Sequence, residues 1–436
     1  RAVRDFDLTT GIYKLDAFKV VGEREGDAAA ITAQRNALNV KNVVAMDSFG
    51  NLPNMSAGEV IMRLPGVAGS PTEEGLNYKF NIRGMNPDLN TVTMDGARLT
   101  SLGFSRSFEN QSITSGMFDQ LELIKGQTPD KSAESLGGTI NFKSRSALLM
   151  KEKRRITYNF SARIAPSFTQ QIPYREEHRS HPVLNFGYQE VFGVFGEERN
   201  LGISANLFYS ENGVGFFRTD RDFQNTTTQP AYVWSYKTQD NYNNRKQQSL
   251  SVKADYRLSA NTKLTLSGVT NDNKELSRIR WHTTAYTFGQ NQNTVPNATT
   301  SAIVPGFTDR ITEVRAGPNS AIDMRMVGPN HYMVRMRRAD LTVEQEFGPL
   351  QLVYSARYAR TNLNNGQGAG GDLTNRITNV GWILDRTQSD LYPRFTQTAG
   401  PDISNPANYR PKTDAPALVR AQNQNDQRIR ELNGDA

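Results

Sequence analysis

The sequence contains no cysteine, and only four of its 436 residues are histidine. The absence of cysteine excludes a disulfide-stabilised scaffold, a zinc ribbon and a thiol nucleophile. With so few histidines, and with no visible Ser-His-Asp or paired-carboxylate arrangement, a hydrolase has no support either. We therefore expect no enzyme activity, no metal site and no cofactor.

Long apolar runs are also missing. No segment approaches the roughly 18 consecutive apolar residues that a membrane-spanning helix needs, and the mean hydropathy is −0.60. A membrane-spanning interpretation therefore requires β-strands, as in a β-barrel with a polar interior. The chain is long enough for more than one domain, since single cores stop growing at about 250 to 300 residues.

The charge composition does not indicate nucleic acid binding. The formal net charge is +7 and the pI is about 9.4, but lysine and arginine are scattered among acidic residues instead of forming a basic stripe. We therefore expect no nucleic-acid partner. Arg1 opens a polar segment that is not a signal peptide, so we expect the sequence to begin after a processing site or an earlier domain.

The segment from Tyr78 to Phe142 has the clearest local signals. Asp95-Gly96 lies between two β-prone runs and predicts a two-residue type I′ hairpin. Leu121 to Ile124 and Thr139 to Phe142 are two further short strands separated by turn residues. We predict a small mixed sheet with glycines at its corners.

Four short motifs in this segment follow one another in a characteristic order and spacing: Ile82-Arg83-Gly84, Met94-Asp95-Gly96, Glu122 to Gly126 and Gly137 to Asn141. Together they resemble the plug domain of TonB-dependent outer-membrane receptors, over roughly Lys14 to Ser146. The resemblance implies a bacterial outer-membrane location, with a plug inside a β-barrel. It also implies that ligand bound at the cell surface passes inward when TonB, a periplasmic protein, pulls an N-terminal arm.

The first 26 residues are predicted to be this arm, since charged and apolar residues alternate there without a helical period. Leu15 to Gly22 resembles the short box through which family members contact TonB. Such a contact needs a strand edge that a partner can extend by β-augmentation; an ordinary edge strand is the alternative. The resemblance implies four TonB-contact residues: Asp16, Phe18, Val20 and Val21.

After Ser146 the sequence alternates between apolar and polar residues with a period of two. Four segments show the pattern best: Ile156 to Ile164, Leu201 to Ser210, Leu250 to Leu258 and Leu350 to Tyr358. In a transmembrane β-barrel, the apolar residues face lipid and the polar residues face the lumen. A soluble antiparallel sandwich also alternates and is the alternative.

Connection lengths favour the barrel. Short turns, such as Ser259 to Asn261, alternate with long polar connections, which include Thr219 to Gln247 and Thr287 to Pro329. Outer-membrane barrels have this asymmetry between periplasmic turns and external loops. We expect a flexible arm over residues 1–26, an α+β plug over 27–146, and antiparallel transmembrane β-barrel strands over 147–436.

The barrel is expected to be incomplete in this chain. Plugged outer-membrane transporters have about 22 strands, whereas we count about eight strands of roughly 10 residues after the plug. The chain is therefore interpreted as the N-terminal part of a longer receptor. Its expected partners are TonB, outer-membrane lipid, a small-molecule or oligosaccharide ligand, and the remaining barrel strands of the receptor.

The resemblance places ligand contacts in two plug loops, Met85 to Asp88 and Leu102 to Arg106. The expected contact residues there are Asn86, Asp88, Phe104 and Arg106.

Aromatic residues in or beside polar loops favour an oligosaccharide ligand, because rings pack on sugar C–H faces while amides and hydroxyls bond its hydroxyls. Trp234 and Trp281 are the predicted contacts, with Tyr232, Tyr236 and Tyr242 nearby. An interfacial aromatic girdle is the structural alternative. The functional alternatives are a ferric-siderophore receptor of the same family and a passive porin-like or adhesin barrel.

Arg83 and Lys125 each end a short plug strand and precede a glycine. Family members usually have basic residues at both positions, where they pair with acidic residues of the inner barrel wall. The resemblance therefore implies a plug–barrel lock at Arg83 and Lys125. Lys125 replaces the more usual arginine, so a bidentate fork becomes a point charge. The acidic partners are expected on strands outside this chain.

Overall fold

The computed structural model describes residues 26–45, 57–71, 77–99, 107–108, 110, 113, 118–126, 135–144, 146–164, 180–223, 226, 228–287, 295–327, 330–367, 372–412 and 422–435.

The N-terminal part, which we call the plug, contains a mixed sheet and two short helices. Its elements are α1 (Asp27–Arg35), β1 (Lys41–Ala45), α2 (Ala57–Ile61), β2 (Val67–Pro71), β3 (Asn77–Ile82), β4 (Asn90–Met94), β5 (Ala97–Arg98), β6 (Gln120–Ile124) and β7 (Gly138–Lys143). The sheet order is β1-β6-β7-β4-β5, with β4 and β7 parallel and the other pairs antiparallel; β2 and β3 form a separate hairpin. The predicted mixed sheet is confirmed. No helix of the described residues is long and apolar enough to cross a membrane.

The turn between β4 and β5 has the predicted type I′ geometry. Asp95 and Gly96 have φ values of 50° and 77°, and Met94 pairs with Ala97 across the turn. Positive φ at both central residues matches the right-handed twist of the strands. At the start of β7, Gly138 has φ 155°, and a Cβ there would lie 2.8 Å from the carbonyl oxygen of Ile124. Only glycine fits this position without displacing β6.

The plug core lies between the sheet, α2 and the β2–β3 hairpin. Its fully buried large side chains include Ile61, Ile82, Phe118, Leu121 and Phe142. Phe118 and Phe142 pack with ring centroids 4.6 Å apart. Burying each such side chain contributes about 1.5 to 3 kcal/mol, so the core holds together elements that are individually only five or six residues long.

The remaining strands are β8 (Arg154–Ile164), β9 (Ser180–Phe192), β10 (Leu201–Asp222), β11 (Ser235–Ser259), β12 (Thr262–Thr287), β13 (Ile311–Val314), β14 (Ser320–Val327), β15 (Asn330–Phe347), β16 (Leu350–Gln367), β17 (Asp372–Thr378), β18 (Gly381–Asp385), β19 (Arg394–Ala399), β20 (Arg410–Pro411) and β21 (Gln422–Asp435). Strands β8-β9-β10-β11-β12-β15-β16-β21 pair in this order, all antiparallel, and we call them the wall. Within the described residues, β8 and β21 each have one neighbour, so this sheet is open.

The two faces of the wall differ in polarity. The apolar residues are exposed on the outer face: Tyr158 is 70%, Leu207 53% and Leu266 57% exposed. The polar residues lie on the inner face, where Asn206 and Asn271 are buried. A soluble sandwich would bury the apolar face instead. The predicted alternation is therefore confirmed, and its orientation is that of a membrane wall with a polar interior.

The longest wall strands extend well past their apolar bands. β10, β11 and β12 have 22, 25 and 26 residues, whereas about 9 to 11 suffice to cross a bilayer. The interpretation of Thr219 to Gln247 as a connection is wrong for most of its length, because β10 runs to Asp222 and β11 begins at Ser235. On β11 and β12, the exposed large apolar side chains Leu250, Val252, Leu258 and Leu266 lie near the short turn between these strands. The other ends therefore project on the order of 40 Å beyond the band, at about 3.3 Å per residue.

Those projecting ends carry a second apolar cluster. The outer half of β12 pairs with β14, followed by β17 and β20, and β13-β18-β19 form a small separate sheet. The connections between β12 and β15 and between β16 and β21 thus pack together around fully buried Trp382. We call this the outer loop cluster, defined by its buried residues Tyr232, Val233, Tyr236, Ala285, Ala302, Ile303, Val314, Ile322, Ile377, Val380, Trp382 and Leu384.

Candidate functional site

Several predicted site residues lie outside the described part of the chain. They are the TonB-contact residues Asp16, Phe18, Val20 and Val21 and the loop residues Phe104 and Arg106. Trp281 belongs to β12, but its side chain lies outside the described part. These assignments stay predictions.

Asn86 and Asp88 stabilise the plug loop in which both of them lie. The side-chain oxygen of Asn86 accepts a hydrogen bond from the Asp88 N–H at 3.0 Å, which starts a short 3-10 helix over Pro87–Leu89. The Asp88 carboxylate accepts the Ser107 N–H at 2.9 Å. The first loop is therefore tied to the residue that follows the second loop. Ligand contact by Asn86 and Asp88 stays a prediction, and the Asp88 carboxylate already has a partner within the plug.

The aromatic residues proposed for sugar binding are core residues in two cases. Tyr232 is 1% and Tyr236 8% exposed, both within the outer loop cluster. The Tyr236 ring stacks on Phe395 at 6.1 Å. Trp234 is half-buried against the same cluster, and Tyr242 is buried on β11. Three of these four aromatic residues are therefore buried, and ligand contact by Trp234 stays a prediction.

Arg83 and Lys125 contact each other within the plug. Arg83 Nη2 donates to the carbonyl oxygen of Lys125 at 2.5 Å, and the Arg83 N–H donates to Gly66 O at 2.8 Å. Arg83 is exposed and has φ 52°, an uncommon conformation for a residue other than glycine. The ends of β3 and β6 therefore meet at one point. The lock with wall carboxylates stays a prediction.

A buried carboxylate in the plug sheet was not predicted. Glu122 of β6 is 4% exposed. Its Oε1 lies 3.2 Å from Lys41 Nζ of β1 and 3.0 Å from Lys143 Nζ of β7, and its Oε2 accepts from Asn141 Nδ2 at 2.8 Å. Burial acts to raise the pKa of Glu122, but Lys143, Asn141 and Lys41 together hold it below its usual value. Glu122 is therefore ionised at neutral pH and joins three neighbouring strands.

The same network continues to the β4–β5 turn. Asn141 Oδ1 accepts from Thr93 Oγ1 at 2.8 Å and from the Gly96 N–H at 3.0 Å. Asp95 accepts from Ser144, at 3.0 Å from its N–H and at 2.7 Å from its hydroxyl. Both residues of the turn are therefore tied to β7 and to the residue that follows it.

The plug packs against the inner face of the wall. Val269 of β12 and Met336 of β15 belong to the plug core cluster, and Ser146 Oγ donates to Asp255 Oδ2 of β11 at 2.7 Å. A Cβ at Gly202 of β10 would lie 2.6 Å from the backbone nitrogen of Leu148. The wall therefore meets the segment between plug and β8 at van der Waals distance. These contacts join residues more than 50 positions apart, and no local sequence signal predicts them.

Residues 33–139 match the model of one protein family, the TonB-dependent receptor plug domain. Among solved structures, the chain is similar to a ferric enterobactin receptor from Pseudomonas aeruginosa, with 10% identity, a TM-score of 0.40, and coverage of 79% of this chain and 55% of that one. It is also similar to the ferric citrate transporter FecA, with 11% identity, a TM-score of 0.34, and coverage of 94% and 62%. A third is the siderophore receptor PirA from Acinetobacter baumannii, with 9% identity, a TM-score of 0.33, and coverage of 85% and 76%. The chain thus spans about 55 to 62% of the length of the first two.

Proposed function

Since this chain carries the plug domain of a TonB-dependent receptor, we propose that it serves as the N-terminal part of an energised outer-membrane importer. The receptor binds a ligand at the cell surface, and TonB pulls the arm before residue 27 so that the plug rearranges and the ligand enters.

One observation carries this proposal: the plug core includes residues of a wall whose polar face is buried and whose apolar face is exposed. Val269 and Met336 pack into the plug core, while Leu266 of β12 and Leu341 of β15 face outward and are 57% and 43% exposed. Apolar side chains on an outer face are favourable in lipid and unfavourable in water. The arrangement supports a plugged wall in the bacterial outer membrane.

The remaining strands are proposed to come from the rest of the receptor. β8 and β21 have unpaired edges in the described part of the chain, and in lipid each unpaired backbone group costs several kcal/mol. The partners that we propose are therefore the missing barrel strands, outer-membrane lipid and TonB.

Energised import is tested with the full-length receptor in cells. Deleting residues 1–26 should abolish uptake while leaving ligand binding at the cell surface intact. Val20→Pro should have the same effect, because proline removes an N–H that strand addition needs. Val20→Ala is the matched control and should retain most uptake. Equal uptake by the deleted receptor would support a passive channel instead.

The ligand that we propose to test first is a ferric chelate. The oligosaccharide interpretation rested on aromatic residues in or beside polar loops, and two of these residues, Tyr232 and Tyr236, are buried in the outer loop cluster. The proteins named above as similar are receptors or transporters of ferric enterobactin, ferric citrate and siderophores; those ligands belong to those proteins. For this chain, calorimetry with ferric enterobactin and with a set of oligosaccharides separates the two classes. Binding of oligosaccharide alone would reject the chelate.

The ligand is proposed to contact the plug through Asn86 and the loop that contains Phe104 and Arg106. Two observations support this assignment: Asn86 is exposed, and Asp88 of the first loop accepts a hydrogen bond from Ser107, the residue that follows the second loop. Replacing Phe104 and Arg106 together by alanine should weaken binding without unfolding the plug. Asp88→Asn is a useful comparison, because the Asp88 carboxylate accepts the Ser107 N–H. This substitution should therefore disturb the position of the loops more than their direct contact with the ligand. Unchanged affinity in the double variant would remove this loop from the site.

A further inference from the structure

A buried ion pair on the inner face of β15 contacts the β4–β5 turn of the plug. Arg338 is 6% and Asp340 7% exposed, and their side chains approach to 2.5 Å between Nε and Oδ2. Arg338 Nη2 donates to the carbonyl oxygen of Met94 at 2.8 Å. Met94 is the last residue of β4 before the Asp95-Gly96 turn.

A second wall cation reaches the same turn from another strand. Lys253 of β11 donates to Ser144 Oγ at 3.1 Å, and Ser144 donates in turn to Asp95 Oδ2 at 2.7 Å. Wall and plug residues around these contacts line one small cleft, among them Met94, Asp95, Ser144, Lys253, Arg338 and Asp340. The turn is therefore approached by two cations from different wall strands.

The polarity of these contacts is the reverse of the lock implied at Arg83 and Lys125. There the cations belong to the plug and the acidic partners are expected on strands outside this chain. Here the cations belong to the wall, and the plug supplies a backbone carbonyl and the Asp95–Ser144 pair. Both sides of the contact are present in this chain.

Asp340 orients the arginine. Residues two apart on a strand share a face, so Asp340 lies beside Arg338 and engages Nε. A planar guanidinium held on one side presents its remaining N–H groups in a defined direction, and here Nη2 is presented to Met94 O. Such a charge-assisted hydrogen bond, withdrawn from water, is among the stronger kinds.

We propose that Arg338, oriented by Asp340 and assisted by Lys253, is a latch that holds the β4–β5 turn of the plug against the wall. The latch keeps this side of the plug seated until the arm is pulled; that role, though not the latch itself, rests on the function proposed above. Arg338 is a positioning residue, and it has no contact with ligand in this assignment.

The chain offers a matched control in the next residue. Arg337 points to the other face of β15, where its Nη1 lies 2.6 Å from Asp272 Oδ1 and its side chain is 43% exposed. Substituting Arg337 removes the same charge from the same strand without touching the plug.

The test is hydrogen exchange by mass spectrometry on the full-length receptor, without TonB or ligand. In Arg338→Met, exchange in peptides covering residues 90–98 and 138–144 should be on the order of tenfold faster, as expected for the loss of a hydrogen bond to a charged group. Arg337→Met should leave these peptides unchanged. Arg338→Lys should restore part of the protection, and Asp340→Asn should fall between wild type and Arg338→Met.

Three results would overturn the latch. The first is equal exchange of the turn peptides in Arg338→Met and Arg337→Met. The second is faster exchange in β9 and β10 as well as the plug, because the arginine would then support the wall in general. The third is no recovery in Arg338→Lys, which would leave only a packing role. Since the readout uses neither uptake nor ligand, failure of the import proposal would leave this measurement unaffected.

Discussion

Glu122 offers the sharpest test of what stabilises the plug sheet. Glu122→Ala removes two lysine contacts and one bond from Asn141 Nδ2. The Lys143 side chain is 46% exposed, so its pair is worth at most about 1 kcal/mol. The Lys41 side chain is 18% exposed. Lys41 and Asn141 each donate a hydrogen bond to the buried Glu122 carboxylate, and each such bond contributes about 1.5 kcal/mol or more.

We therefore expect Glu122→Ala to lower the free energy of opening the β6–β7 region by about 3 kcal/mol, and Glu122→Gln by roughly half of that, because glutamine still accepts one bond. Lys143→Ala is the control and should cost about 1 kcal/mol or less. Hydrogen exchange of residues 120–124 and 138–143 in the full-length receptor measures these differences.

The pH dependence gives the same prediction a second readout. The pKa of Glu122 lies below its ordinary value in the folded plug, so its stabilisation is present above the ordinary pKa of about 4.3 and is lost as pH falls through the folded value. The difference between wild type and Glu122→Gln should be full at pH 7 and shrink below about pH 4. A constant difference over this range, or an equal loss in Lys143→Ala and Glu122→Ala, would refute the reasoning.

Three further predictions concern the turns, the plug lock and the outer loop cluster. Gly138→Ala should destabilise the plug by about 2 kcal/mol or more, because its Cβ would approach Ile124 O to 2.8 Å; Gly96→Ala, with open space around its Cβ, should cost about 1 kcal/mol, and equal losses by exchange would contradict this. Arg83→Ala should lower the free energy of opening the plug by about 3 to 5 kcal/mol if a wall carboxylate faces Arg83 in the full receptor, and by only about 1 kcal/mol if its partner is Lys125 O alone. Protease sensitivity and hydrogen exchange measure the difference, and ligand affinity should change little. Trp382→Ala should destabilise the outer loop cluster by about 3 to 5 kcal/mol, which protease sensitivity of residues 295–327 and 372–412 would show; unchanged sensitivity would mean that this cluster is held by other contacts.

Two kinds of signal were readable from the sequence because they are local. The Asp95-Gly96 pair determines a type I′ turn through the φ values that each residue tolerates, and the structure has that turn. The period-two alternation in β8 to β16 determines which residues share a face. Neither needs a distant contact to be recognised.

The lengths of β10 and β11 were underestimated from the sequence because the alternation signal is local. Alternation marks a strand only while one face meets lipid or a core and the other meets polar surroundings. Outside the apolar band, β10 and β11 have polar residues on both faces, as in Asp240 to Asn244, and the sequence then resembles a loop. Pairing over the full register from Leu201 to Asp222 decides the matter.

Only the tertiary structure decided which side chains meet. Tyr232 and Tyr236 are residues of the type that binds sugars, but they pack with Trp382 and are buried in the outer loop cluster. Glu122 stood inside a recognised motif, yet its role depends on Lys41 and Lys143 from neighbouring strands. Arg338 and Met94 are 244 positions apart. By itself the sequence determined turns, faces and the family of the plug, because these depend on each residue and its near neighbours; the contacts between plug and wall depend on how strands far apart in the chain are brought into register, and only the folded sheet specifies that.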